Sequence, residues 1–243
     1  MADNIRYAVG YQLPDERDST LELVQDYRRC VDEVYFAWLG HASGRSPVGT
    51  LEGLEMDEAR DYMTDELKAI REMDVKLTLL CNANCYGAEA ASKTLALRTQ
   101  KHVEQMRQLF DIGAVTTASP YLAKVIKEAF PDLEIRASVN MRIGTVNAMR
   151  CLEEFYDSFY MQREFNRDME TIHRLRKWCD DNGKKLNMLD RRDDLNRLGL
   201  WGLRLYFTTE NRQEVDWVLR DYTEAAPFDP GACTRGLYLR GLD

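Results

Sequence analysis

The sequence predicts one α/β domain, a (β/α)8 TIM-barrel-like fold. Short runs rich in β-branched and aromatic residues alternate with longer amphipathic stretches, the pattern of parallel strands joined by helices. Eight such strand–helix units can be counted in 243 residues, a usual size for a one-domain barrel. No linker, repeat or low-complexity segment divides them, so residues 1–243 read as a single domain with 227–243 as a C-terminal tail. A doubly wound open sheet is the competing arrangement, because periodicity does not show closure.

The first strand reads from Ile5 to Tyr11, followed by a capped helix from Ser19 to Cys30. Asp32 to Trp38 is the second strand. After a Gly- and Ser-rich loop, a charged amphipathic helix runs from about Met56 to Met73. Val75 to Cys81 is the third strand, with its helix from about Lys93 to Phe110. Ala114 to Ala118 is the fourth, and Pro120 suits the first turn of the helix that ends near Phe130. Glu134 to Val139 is the fifth, with a helix over Thr145 to Phe155. Ser158 to Gln162 is the sixth, with a helix from Asn166 to Asp181 stopped by Asn182-Gly183. Lys185 to Leu189 is the seventh, followed by a short helix near Asp193 to Leu198. Leu203 to Thr208 is the eighth, and Gln213 to Thr223 is the last helix.

Composition narrows the function classes. A net charge of −8 opposes sequence-blind adhesion to nucleic acid or to an anionic membrane. No apolar run approaches the roughly 20 residues that span a bilayer, and the N-terminus lacks the pattern of a secretory signal. A cytoplasmic protein is expected, its six cysteines reduced thiols rather than a disulfide frame. Walker loop, dinucleotide glycine fingerprint, zinc-protease helix and nucleophile elbow are all missing from the sequence.

In a parallel barrel, side chains at the carboxyl ends of the strands converge on one rim, where chemistry collects. Here that rim receives Gln12; His41 and Arg45; Asn82, Asn84 and Cys85; Ser119; Asn140 and Arg142; Gln162, Arg163 and Glu164; Asp190 to Arg192; and Thr209 and Glu210. Asn and Arg suit hydrogen bonding to carboxylate, amide or phosphate groups. Each of these residues could equally be an ordinary loop polar group or helix cap.

Cys81 and Cys85 are separated by three residues, but a metal or iron–sulfur site needs two further soft ligands. No metal or other cofactor is therefore expected. Cys81 reads as a packing residue in its strand, and Cys85 as the better nucleophile. A nucleophile needs a base, and His41 follows the neighbouring second strand. His102 and His173 fall in mid-helix and read as surface or packing residues.

Four stretches together resemble the U32 peptidase family, the collagenase-like proteases. They are Leu77 to Asn84, Arg136 to Met141, Gln162 to Asp168, and the ending Thr234 to Gly241; Leu203 to Thr208 resembles the final strand before that tail. The resemblance runs in order along nearly the whole chain and implies a barrel with a hydrolase active on peptides. It breaks after Leu189. There, family members carry a Gly- and Cys-rich segment, which in several relatives holds an iron–sulfur cluster. Here Asp190-Arg191-Arg192-Asp193-Asp194 follows, with no cysteine until Cys233. The chain thus looks like a shortened member, and the cluster does not carry over.

Three functions are in competition. One is a U32-type hydrolase acting on a peptide or small anionic substrate, with Cys85, His41 and Glu164 catalytic. Substrate binding would then fall to Arg45, Asn82, Asn84, Asn140, Arg142, Gln162 and Arg163. The second is an accessory role like that of U32 relatives in RNA-base or quinone-precursor hydroxylation, which the missing cysteines disfavour. The third is a non-proteolytic barrel that holds a small anionic ligand through Arg45, Arg142, Arg163 and Arg192, or serves as a partner subunit.

Overall fold

A computed structural model describes residues 7–13, 19–44, 55–165, 168–187, 203–204 and 215–220. Within them are eight strands: β1 (Tyr7–Gly10), β2 (Val31–Phe36), β3 (Lys76–Cys81), β4 (Ala114–Thr117), β5 (Glu134–Ala137), β6 (Ser158–Tyr160), β7 (Lys185–Asn187) and β8 (Leu203–Arg204). All their pairings are parallel, in the order β7-β6-β5-β4-β3-β2-β1-β8. Placing β8 beside β1 is the wrap-around that separates a barrel order from a doubly wound sheet. No ladder joins β7 to β8 among the described residues. The expected helix at Asp193 to Leu198 and the tail at 227–243 lie outside the described residues.

The helices are α1 (Thr20–Asp26), α2 (Met56–Glu72), α3 (Lys93–Phe110), α4 (Pro120–Ala129), α5 (Val146–Arg150) and α6 (Met169–Asp181), and residues 215–220 are also helical. Their starts follow capping chemistry. Ser19, Ser92, Ser119, Thr145 and Asp168 each accept a hydrogen bond from a backbone N–H of the first turn. Pro120 sits in the first turn of α4, as expected.

Several ends differ from the sequence reading. α1 stops at Asp26, and a tight turn with Cys30 N–H donating to the Tyr27 carbonyl carries the chain into β2. α5 stops at Arg150, where Glu153 and Glu154 would have placed negative charge at a helix C-terminus. α6 starts at Met169, where Asp168 supplies the cap. β5 ends at Ala137, and Val139–Met141 forms a short 3-10 turn instead of continuing the strand. Two further 3-10 turns, Gly87–Glu89 after β3 and Arg163–Phe165 after β6, had no signal in the periodicity.

Strand alternation divides the interior into two layers. Val9, Val34, Phe36, Leu77, Leu79, Val115, Ile135, Phe159 and Leu186 belong to the large core between sheet and helices. Tyr35, Ala37 and Leu80, with Ala8 against them, form a separate buried group from the opposite faces of their strands. That second face is the barrel lumen, and it is unusually polar. Arg136 on β5 donates to both carboxylate oxygens of Glu33 on β2 at 2.7 Å, across the barrel rather than along a ladder. Glu134 bridges the same guanidinium to Lys185 on β7. A chain of alternating charge therefore links β2, β5 and β7 through the lumen.

Candidate functional site

Two hydrogen-bonded groups form above the carboxyl ends of the strands. In the first, Asn82, one residue beyond β3 and buried, accepts through Oδ1 from Ser43 Oγ at 2.9 Å and from Gly44 N at 3.0 Å. Asn140 Nδ2 donates to the Asn82 backbone carbonyl at 3.4 Å. Two carboxamides, those of Asn82 and Asn140, thus tie the loop after β2 to the ends of β3 and β5. Gly44 is required by proximity, since a Cβ there would lie 2.7 Å from Asn140 Nδ2 and 2.9 Å from the Asn82 carbonyl oxygen.

In the second group, the turn after β5 ends on Arg142 with φ at +54°, a left-handed conformation unusual for a side-chain-bearing residue. From there Arg142 Nη2 meets Glu164 Oε1 at 2.7 Å. The backbone supports this pair, because Gln162 N–H donates to the Ile143 carbonyl at 2.8 Å and Ile143 bridges Met161. The Glu164 carboxyl is held below its usual range, first by its own backbone N–H and then by Gln162 and Arg142. It is a carboxylate at neutral pH, suited to accepting hydrogen bonds rather than donating a proton.

The expected site residues thus divide. Asn82 and Asn140 meet in one group, and Arg142, Gln162 and Glu164 in the adjoining one. Arg45 and Arg192 lie outside the described residues, as does the side chain of Arg163, whose backbone belongs to the 3-10 turn after β6. Asn84 is exposed. Gln12 and Ser119 serve local structure, Gln12 through paired hydrogen bonds with Thr20 and Ser119 as the cap of α4.

Cys85, His41 and Glu164 are not joined to one another by any recorded contact. Cys85 is exposed, and its Sγ accepts from Gly87 N–H at 3.3 Å. His41 stacks face to face on His102 of α3, ring centroids 3.6 Å apart and planes 11° from parallel. The sequence pointed His41 across the rim, whereas the stack turns its ring toward the helical layer. Its pKa is lowered, by desolvation first and then by Arg60 and Arg98. Cys81 is buried, and burial pushes its thiol up to about 12, consistent with a packing residue. Among the described residues no group of three His, Cys, Asp or Glu side chains is set to hold a metal ion, and no helix is long and apolar enough to cross a membrane.

Sequence reasoning missed the polar lumen beneath this rim. Thr116, Arg136 and Ser158 are lateral neighbours on β4, β5 and β6 and all point inward. Alternation in Glu134-Ile135-Arg136 carried the signal, with charged residues at the two positions facing the lumen and an apolar one between them.

No protein-family model matches this sequence, and no curated protein matches it. The fold is similar to several solved structures. The U32 peptidase Mk0906 superposes with a TM-score of 0.59 at 15% identity, covering 96% of this chain and 83% of that one. A chain of the tryptophan synthase complex from Pyrococcus furiosus gives 0.58 at 11% identity, covering 93% and 99%. A phosphoribosylanthranilate isomerase from Thermotoga maritima gives 0.52 at 8% identity, covering 90% and 99%. What this chain shares with them is the β/α-barrel fold.

Proposed function

We propose that this chain is a U32-like barrel that binds a small peptide-like ligand on its carboxyl-end rim without using a cysteine nucleophile. The carrying observation is the pairing of donors with acceptors there. Asn140 places a carboxamide beside the buried Asn82, and Arg142 is neutralised by Glu164. A peptide offers both N–H and C=O groups and both terminal charges, which matches such a set. A phosphate anion would meet repulsion from the Glu164 carboxylate held on Arg142. The fold likeness to a U32 peptidase is compatible with this ligand class.

A second reading, cysteine-dependent peptide hydrolysis, is favoured by the exposed Cys85 with an N–H directed at its sulfur. It needs a base within hydrogen-bond reach, and His41 is engaged with His102 instead.

Calorimetric titration with tri-alanine, alongside digestion of fluorogenic casein, separates the two. Under the binding reading, Asn140→Ala and Arg142→Ala each weaken tri-alanine binding about tenfold, the loss of one good polar contact. Cys85→Ala leaves binding unchanged, and casein stays intact with every variant. Casein cleavage that disappears in Cys85→Ala would establish the hydrolase reading. Binding of inorganic phosphate in preference to tri-alanine would sink the peptide assignment.

A further inference from the structure

The His41–His102 stack lies outside the hydrogen-bonded rim groups, yet its loop is the one that reaches them. Five contacts hold residues 38–44. His41 N–H donates to the Trp38 carbonyl at 3.1 Å, and Arg60 Nη2 donates to the Leu39 carbonyl at 3.3 Å. The His41 ring lies on His102, and Ser43 and Gly44 donate to Asn82. Gly40 adopts φ +82°, and a Cβ there would lie 2.7 Å from Arg60 Nη2, so the loop presses closely on α2.

His102 is only 5% exposed, and neither of its ring nitrogens has a hydrogen-bond partner. No acceptor is therefore in place to receive an imidazolium proton. The charged groups around the pair are also unfavourable to a proton. Arg60 faces it from α2 and is itself paired with Asp57, and Arg98 faces it from α3, paired with Glu89 of the turn after β3.

We propose that residues 38–44 are an acid-released latch, held on α3 by neutral His41–His102 stacking and freed when the pair takes up protons. The stack survives only with His102 neutral; once open, both rings reach water and regain ordinary basicity. Desolvation first, then the charge of His41, lowers the His102 pKa from 6.5 to about 3. A base depressed in the closed state favours closure fully above its open-state pKa. That preference fades as pH falls from about 6.5 toward 3. Between pH 7.5 and pH 5.0 the open-to-closed ratio accordingly rises about 30-fold from His102 alone. Opening would carry Ser43 and Gly44 away from Asn82, so acid would loosen the rim whatever ligand the rim takes.

Hydrogen exchange of the His41 and Gly44 amides tests this, because each reports one tether. After correction for the intrinsic pH dependence of exchange, their protection should drop about 30-fold from pH 7.5 to pH 5.0. His102→Phe keeps an aromatic face but cannot titrate, and it should shrink the drop to the part that His41 contributes. His102→Met, flexible enough to refill the site, carries the same expectation should the phenylalanine variant fold poorly. Wild-type protection that does not change with pH would overturn the latch, and so would an unaltered pH response in a foldable His102 variant. Neither readout depends on tri-alanine binding, so failure of the latch and failure of the peptide reading are distinguishable.

Discussion

Arg136→Met is expected to destabilise this protein by about 3–5 kcal/mol, the usual cost of removing one partner from a buried ion pair. Arg136 is 4% exposed, and it is shared between Glu33, 1% exposed, and Glu134. Burial works against its charge, but Glu33, Tyr160 and Glu134 outweigh burial and hold the guanidinium protonated well above its usual range. Methionine fills similar space and leaves the Glu33 carboxylate in the lumen without its cation. Urea denaturation at pH 7.5 measures the loss. The double variant Glu33→Met/Arg136→Met removes both charges and should recover most of it, because two apolar side chains need no compensation. A single Arg136→Met variant within 1 kcal/mol of the wild type would mean that the lumen charges are solvated and not a structural plug.

This ion pair also shows where sequence reading stops. The eight described strands, the Ser119-Pro120 start of α4 and the caps at Ser19, Ser92 and Thr145 are local features, and local chemistry sets them. Glu33 and Arg136 are 103 residues apart and sit on strands that do not pair, so no spacing rule connects them. The rim divides along the same line. Asn82, Asn140, Arg142 and Glu164 were legible because each lies within five residues of a strand's carboxyl end, and parallel strands bring their ends to one side. Side-chain direction was not legible. His41 also follows a strand, yet its ring lies on His102, because a helix 61 residues downstream presents an imidazole face there. The short 3-10 turns after β5 and β6 escaped notice for a different reason. Three residues are too few to show a period, and the left-handed Arg142 that aims one of these turns is a backbone state that arginine seldom signals.

Gly144→Val carries the second large expectation, and it tests whether backbone packing or side-chain pairing organises the rim. Even a single Cβ on Gly144 would overlap the Phe165 ring, with Cε2, Cδ2 and Cζ its nearest atoms. Phe165 closes the 3-10 turn that carries Glu164, and its N–H donates to the Gln162 carbonyl at 3.1 Å. Valine would therefore push the ring away and take the turn with it, drawing Glu164 off Arg142. Overpacking of this kind costs about 1–3 kcal/mol, sometimes more where backbone must shift. The exposed Arg142–Glu164 pair is itself worth at most about 1 kcal/mol, so its loss alone would not produce that drop. Comparing Gly144→Val with Glu164→Gln in urea denaturation separates the two contributions. If packing organises the rim, Gly144→Val is the more destabilised, and adding Phe165→Ala to it restores part of the loss by making room for the valine. Equal small losses in Gly144→Val and Glu164→Gln would instead place the organising role on the ion pair. In that case the close approach of Gly144 to Phe165 would be a consequence of rim geometry and not its cause.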